Sequence, residues 1–376
     1  MEITELLMQT KRANASDLHL SPGHPPILRL HGEITPMKGK PLEPDQVKDM
    51  LYSIMNEQQR VIFERDLELD FAIQFGEEMR FRVNAFTNVK GPAISLRNVP
   101  SHVFTLDELE MPPILKRMAS LSKGLVLVTG PTGSGKSVTL AAMVDHINST
   151  ARRHILTIED PVELIHKPRK CLVNQRELGS NTRSFAQALR SALREDPDVI
   201  LVGELRDQET IQLALTAAET GHLVMATLHT NSAYKTIDRI IDVFPESDKG
   251  LIMSMLSTSL EGVISQTLIR TIEGKGRVAA QEILVGTSAV RNLIRENKVP
   301  QIYSLIQVGS RYGMTTMKES VYALLDKGVI HKDDAMYALN MYSDSVESEL
   351  TEEKKDHPHR NEVIDMMMDP DEDRGF

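Results

Sequence analysis

Eight residues, Gly130-Pro131-Thr132-Gly133-Ser134-Gly135-Lys136-Ser137, limit what this chain can fold into more than any other stretch. They fit the pattern G-x-x-x-x-G-K-[ST] at every fixed position. Glycines there let consecutive backbone N–H groups converge on phosphate oxygens, where side chains would obstruct them. The apolar run 124–129 before the loop reads as a strand, and 138–143 after it as the start of a helix. A helix N-terminus adds partial positive charge at the same place. This context predicts an ATP site, with Lys136 reaching the β- and γ-phosphates and the Ser137 hydroxyl holding Mg2+. A bare glycine-rich turn would require neither the Lys-Ser pair nor the flanking elements.

The texture around the loop points the same way. Short apolar runs at 125–129, 154–158, 199–202 and 223–226 alternate with helical stretches. Such runs suit parallel strands covered on both faces, and their alternation with helices predicts an α/β sheet. From 286 to about 342 the pattern is helical. The first 100 residues differ: 27–32 and 80–86 alternate as half-buried strands do, and 45–65 reads as one helix, giving a small α+β domain. The expected organisation is an N-terminal domain at 1–100, a Pro-containing linker at 101–113, an ATPase domain at 114–343 and a tail at 344–376.

Charge is unevenly placed. The whole chain of 376 residues carries −10, and residues 344–376 hold 12 acids against 4 bases, a balance of −8. That tail, with Pro358 and Pro370 and no periodic apolar face, is expected to be disordered. Aromatics are 4% and Trp is absent, so neither a basic footprint nor a base-stacking surface for nucleic acid is evident. The first residues are acidic where a signal peptide needs bases, and no apolar run approaches the roughly 20 residues of a membrane span. A soluble, intracellular protein is the expectation. Cys171 is the sole cysteine, which excludes an intrachain disulfide and a cysteine-rich zinc site.

Further candidates follow the apolar runs. Glu204 follows the apolar run 199–202, where an acid can hold the Mg2+ shell or polarise the attacking water; Asp198 precedes that run and is less suited. Glu159, Asp160 and Glu163 crowd the end of the run 154–158, where they could position water or metal, or form an acidic turn before a helix. His222 and His229 flank 223–228, too far apart to share a metal. His229 is at the carboxyl end, where ligands sit in open α/β sheets. Each of these alone is also compatible with a cap, a loop or a satisfied core histidine.

Together, GPTGSGKS (130–137), TIEDPVE (157–163), DVILVGELRD (198–207), AETGHLVMATLHT (218–230) and ASDLHL (15–20) resemble the motifs of the secretion-type ATPases, in that family's order. The resemblance covers about residues 3–340 and is strongest to the branch that retracts type IV pili. It implies a PAS-like N-terminal domain and a RecA-like ATPase domain, assembled as a cytoplasmic homohexamer. That ring would associate peripherally with the inner membrane through a pilus platform protein. It also implies that Glu204, Glu163, Glu159, His229 and His222 serve catalysis, with Ser137 and Glu204 at the metal. Arginines of the N-terminal domain, matching Arg80, Arg82 and Arg97, would complete the site; Arg194 and Arg206 are alternatives. Pilus-assembly and type II secretion relatives usually carry a tetracysteine insert, so a single cysteine points to retraction and twitching motility. The segment 288–296 is similar to the retraction branch's AIRNLIRE, with Val290, Leu293 and Ile294 on one face and Arg291 and Arg295 on another. An accessory ATPase working beside a paralogue is the alternative; a nucleic-acid translocase is disfavoured by the charge.

Overall fold

The computed structural model describes residues 2–30, 33–76, 79–99, 102–274, 276–340 and 342. They fold as two units. One comprises the chain up to Val103 together with Asp160–His166; the other comprises Phe104–Glu159 and the chain from Lys167 onward. Residues 344–376, expected to be disordered, lie outside the described residues.

The first unit is built on a six-stranded sheet: β1 (Asp17–Leu20), β2 (Ile27–Leu30), β3 (Glu33–Pro36), β4 (Glu68–Phe75), β5 (Met79–Asn88) and β6 (Gly91–Val99). Their order is β3-β2-β1-β6-β5-β4, with every neighbouring pair antiparallel. Successive side chains of a strand face opposite sides. Phe81, Val83 and Ala85 are therefore fully buried while Arg80 and Arg82, at the alternate positions, face the other way. The helix Ile3–Arg12 adds Ile3, Leu6 and Leu7 to the same core. The single helix expected over 45–65 is two helices, Pro44–Ser53 and Glu57–Asp66. Asn56 causes the break: its side chain accepts from Gln59 N at 2.9 Å, and the Gln59 side chain accepts from Asn56 N at 2.9 Å. This reciprocal cap starts a helix afresh although the apolar periodicity runs through it.

The second unit carries β7 (Gly124–Thr129), β8 (His154–Glu159), β9 (Leu172–Glu177), β10 (Val199–Val202), β11 (Leu223–Leu228), β12 (Leu260–Arg270) and β13 (Arg277–Val285). The order is β13-β12-β7-β11-β10-β8-β9, parallel except for the β12–β13 pair. The continuous apolar runs divide by alternation into two cores. Leu125 and Leu127 join one with the helices Phe185–Ala192, Gln208–Glu219, Ala233–Asp242 and Glu246–Ser259. Val126 and Val128 join the other with Pro113–Ala119 and Lys136–Thr150. This is the expected α/β P-loop architecture, layered on both faces of the sheet. Leu106, in the stretch read as linker, is buried against the second core. Strands β9, β12 and β13 were not anticipated from the sequence pattern. No described helix is long and apolar enough to cross a membrane.

Candidate nucleotide site

Parallel strands end together, so the loops after β7, β10 and β11, which are neighbours in the order β7-β11-β10, converge on one edge of the second unit. After β7 the backbone turns at Gly130, with φ 139°, and a Cβ there would meet Gln266 O at 2.2 Å and Ser134 Oγ at 2.6 Å. Glycine is obligatory at that position for lack of space. At Gly133 nothing lies within 4 Å of such a Cβ, and the φ of 82° is what calls for glycine. The helix Lys136–Thr150 follows with Gly135 at its N-cap and no side-chain cap, leaving its first N–H groups to a ligand. Ser134 Oγ and Thr129 Oγ1 are buried with no hydrogen-bond partner among the described residues. A loop shaped in this way fits phosphate.

Lys136 is buried, and its Nζ donates to Gly130 O at 2.8 Å and Pro131 O at 3.1 Å. It is also 3.5 Å from His229 Nδ1, at the end of β11. His229 Nε2 lies 3.3 Å from Glu204 Oε1, and Glu204 Oε2 accepts from Arg206 Nε at 2.8 Å. One neutral tautomer meets both contacts of His229, with Nε2–H donating to Glu204 and Nδ1 accepting from Lys136. The backbone fixes this line: Leu205 N donates to Thr227 O at 3.0 Å, tying the segment after β10 to β11. Glu159 ends β8 and accepts from Thr157 Oγ1 at 2.6 Å and Gln175 Nε2 at 3.3 Å. Asp198 is at the opposite end of β10, where it accepts from His154 N at 2.8 Å. His222 is likewise not brought to this edge. Its ring lies at the start of β11, with Nδ1 2.9 Å from Ala217 O, and secures the end of the helix Gln208–Glu219.

The remaining candidates belong to the first unit. Arg82 and Arg97 are directly opposite across β5 and β6, and Arg80 is two residues from Arg82, so all three share one face. Each is held locally. Arg80 donates to Val162 O at 3.0 Å and 2.7 Å; Arg82 is 3.9 Å from Glu163; Arg97 Nε donates to Asp17 Oδ1 at 3.0 Å. Glu163 thus lies with the arginines in the first unit, whereas Glu159 is in the second.

Two residues that sequence reasoning missed hold the nucleotide edge. Gln266 on β12 is buried; its Nε2 donates to Ser134 O at 2.7 Å, and its Oε1 accepts from Thr139 Oγ1 at 2.9 Å. Glu282 on β13 accepts from Ser232 Oγ at 2.9 Å and Ala233 N at 2.7 Å, pinning the loop after His229. Burial pushes its carboxyl above the usual range, opposed by those hydrogen bonds. No sequence signal marks them beyond polar residues inside otherwise apolar strands. A third surprise corrects the amphipathic reading of 288–296. Val290 and Ile294 are buried as expected, but Arg291 folds inward, donating to Gly286 O at 2.8 Å and Ser257 O at 3.0 Å and pairing with Glu261 at 2.7 Å. It caps the last carbonyls of the helix Glu246–Ser259, which an exposed basic face would leave to water.

Three comparisons bear on this geometry. The family model described as "Type II/IV secretion system protein" matches residues 2–340. The type IV pilus retraction ATPase PilT of Pseudomonas aeruginosa is 57% identical over 335 residues, 89% of this chain and 97% of that protein. The type IV pilus ATPase PilU of the same species is 40% identical over 336 residues, 89% of this chain and 88% of that protein. A crystal structure of the pilus retraction motor PilT with bound ADP superposes with a TM-score of 0.84 at 46% identity, covering 90% of this chain and 97% of that one. The chain therefore belongs to the type II/IV secretion system family, as one of its nucleotide-binding P-loop ATPases.

Proposed function

We propose that this chain is the subunit of a homohexameric motor that hydrolyses ATP to retract a type IV pilus, acting at the cytoplasmic side of the inner membrane on the pilus platform protein. The observation that carries this reading is the contact of Lys136, His229 and Glu204 at the ends of three adjacent strands.

Lys136 and the N–H groups at the start of its helix hold the β- and γ-phosphates. The exposed Ser137 hydroxyl is placed for Mg2+. Ser137, with Glu204 after the nearby strand β10, would hold the ion. Bound there, Mg2+ neutralises charge on the phosphates. Glu204 accepts the proton of the water that attacks the γ-phosphorus, as ADP leaves. Arg206 and His229 hold the Glu204 carboxylate in orientation. Glu159 orders groups at the next strand end, and Arg80, Arg82 and Arg97 of a neighbouring subunit would offer guanidinium charge to the transferring phosphoryl group. The greater identity to PilT than to PilU, 57% against 40%, supports an independent motor over an accessory one.

The experiment is complementation of a strain lacking this chain. The deletion should leave cells with excess pili that do not twitch. The wild-type gene should restore twitching and Lys136→Ala should not, although the variant protein assembles and melts as the parent does. Normal low-load retraction in the deletion strain would overturn the motor reading in favour of an accessory role.

A further inference from the structure

A cavity of about 430 Å3 opens on the second unit, lined by four arginines. Arg176 comes from β9 and Arg183 from the turn that follows. Gln187, Arg190, Ser191 and Arg194 add positions spaced three and four apart, one face of the helix that starts at Phe185 and its continuation. The opposite face of that helix is buried through Phe185, Ala188, Leu189 and Ala192. Two of the guanidinium groups have partners: Arg176 meets Glu195 at 3.1 Å, and Arg190 pairs with Glu209. The guanidinium groups of Arg183 and Arg194 have no hydrogen-bond or ion-pair partner among the described residues. Four cations facing two carboxylates around one hollow repel one another, and an anion entering it relieves that repulsion. None of the P-loop residues, Glu204 or His229 lines this cavity.

The chain carries a ligand of matching chemistry. Residues 344–376 hold a balance of −8, and the stretch 362–373 has six acids and no Lys or Arg. The 34 residues beyond Tyr342 can span up to about 110 Å when extended. A unit of this size has a radius of gyration of only about 18 Å, so reach imposes no limit. We propose that the arginine cavity is a docking site for the acidic segment 362–373 of this chain, its own or that of a neighbouring copy. A guanidinium binds a carboxylate through two parallel hydrogen bonds, a geometry that favours Asp and Glu over diffuse negative charge. Tethering raises the segment's effective concentration to about the millimolar range, so individually weak pairs suffice. A free polyanion such as a nucleic acid has no such tether and must approach a chain of net charge −10.

The test is disulfide trapping in the full chain. Gln187→Cys lines the cavity and Asp371→Cys lies in the acidic segment; native Cys171 is buried and stays silent. Under mild oxidation at low salt this pair should cross-link at least tenfold faster than Asp371→Cys paired with Leu251→Cys, an exposed site elsewhere on the unit. Adding Arg183→Glu and Arg194→Glu should remove that difference, and so should 1 M salt on the unreversed pair, which needs no variant to fold. Charge screening acts within a Debye length of roughly 3 Å at that strength. A gel distinguishes intrachain from interchain bonds, and either supports docking. Equal rates for the two pairs, or a rate insensitive to both charge reversal and salt, would overturn the proposal. So would inorganic polyphosphate or single-stranded DNA displacing the cross-link at physiological salt, because the cavity would then prefer phosphate to the tail.

Discussion

Lys136, His229 and Glu204 meet at the ends of three neighbouring strands, whereas Arg80, Arg82 and Arg97 spread over the face of a different sheet. The first arrangement is made by backbone convergence: parallel strands in register deliver their following residues to one edge, where the three side chains touch in line. The second is made by alternation, which places side chains on a common face and leaves each to find its own partner. Each arginine consequently has its own acceptor, Val162 O, Glu163 or Asp17. The strand-end site should therefore act as one unit, and the arginines as separable contributors.

Substitution tests that contrast most severely at the strand ends. Glu204→Gln should bind ATP and turn it over at least about 100-fold more slowly, the lower scale for a lost general base. Combined with Lys136→Ala it should cost no more than about threefold beyond the worse single change, because residues acting as a unit are not additive. Full multiplication of the two losses in steady-state ATPase assays would break the comparison from this side.

On the arginine face the expected effects are smaller and multiplicative. Arg82→Ala should slow turnover roughly tenfold, about 1.4 kcal/mol of barrier, and Arg80→Ala should multiply that loss. Arg97→Ala should in addition lower the melting temperature, because Asp17, largely buried, loses its 3.0 Å partner and is left with the more distant Arg29 at 3.8 Å. Melting and turnover measured on the same three proteins sharpen the distinction. A double variant no slower than Arg82→Ala would make the arginines a unit too.

The smallest effect is in stability. Burial lowers the pKa of His166, in the segment that joins the first unit, to about 4 from its usual 6.5. The unfolded chain takes up the proton first as pH falls, so this contribution is complete above pH 6.5 and is lost from there toward pH 4. Between pH 7 and pH 5 the parent's melting temperature should fall a few degrees more than that of His166→Gln, following the usual scaling for a domain of this size. Equal slopes in calorimetry would show that His166 is not held neutral.

What could be read from the sequence follows the same physics. The P-loop is legible because phosphate demands glycine and lysine at fixed intervals, and β7, β10 and β11 because parallel strands are apolar on both faces. β12 and β13 are obscure for the opposite reason. Gln266, Gln281 and Glu282 are buried in them, and their polar character hides two strands whose middles are interior. Only the partners reveal why they are tolerated: Gln281 Nε2 reaches Gln266 Oε1 at 3.3 Å, and Glu282 serves the loop beyond His229. Arg291 was misplaced because periodicity assigns a helix face but not the path of a long side chain. Nor does it tell a continuous helix from two, as Asn56 shows.

Gln266 has a consequence for sequence variation. Its amide nitrogen serves the P-loop backbone and its amide oxygen takes the Thr139 hydroxyl, so both ends are committed in a buried place. Glutamate would supply a second acceptor where a donor is needed, leucine would strand Ser134 O and Thr139 Oγ1, and asparagine would fall one carbon short. A stranded buried group costs about 1–3 kcal/mol, and here the cost lands on the loop that holds phosphate. In a complete substitution library selected for twitching, position 266 should tolerate as few residues as the P-loop lysine, although its polar atoms are committed to Ser134 and Thr139.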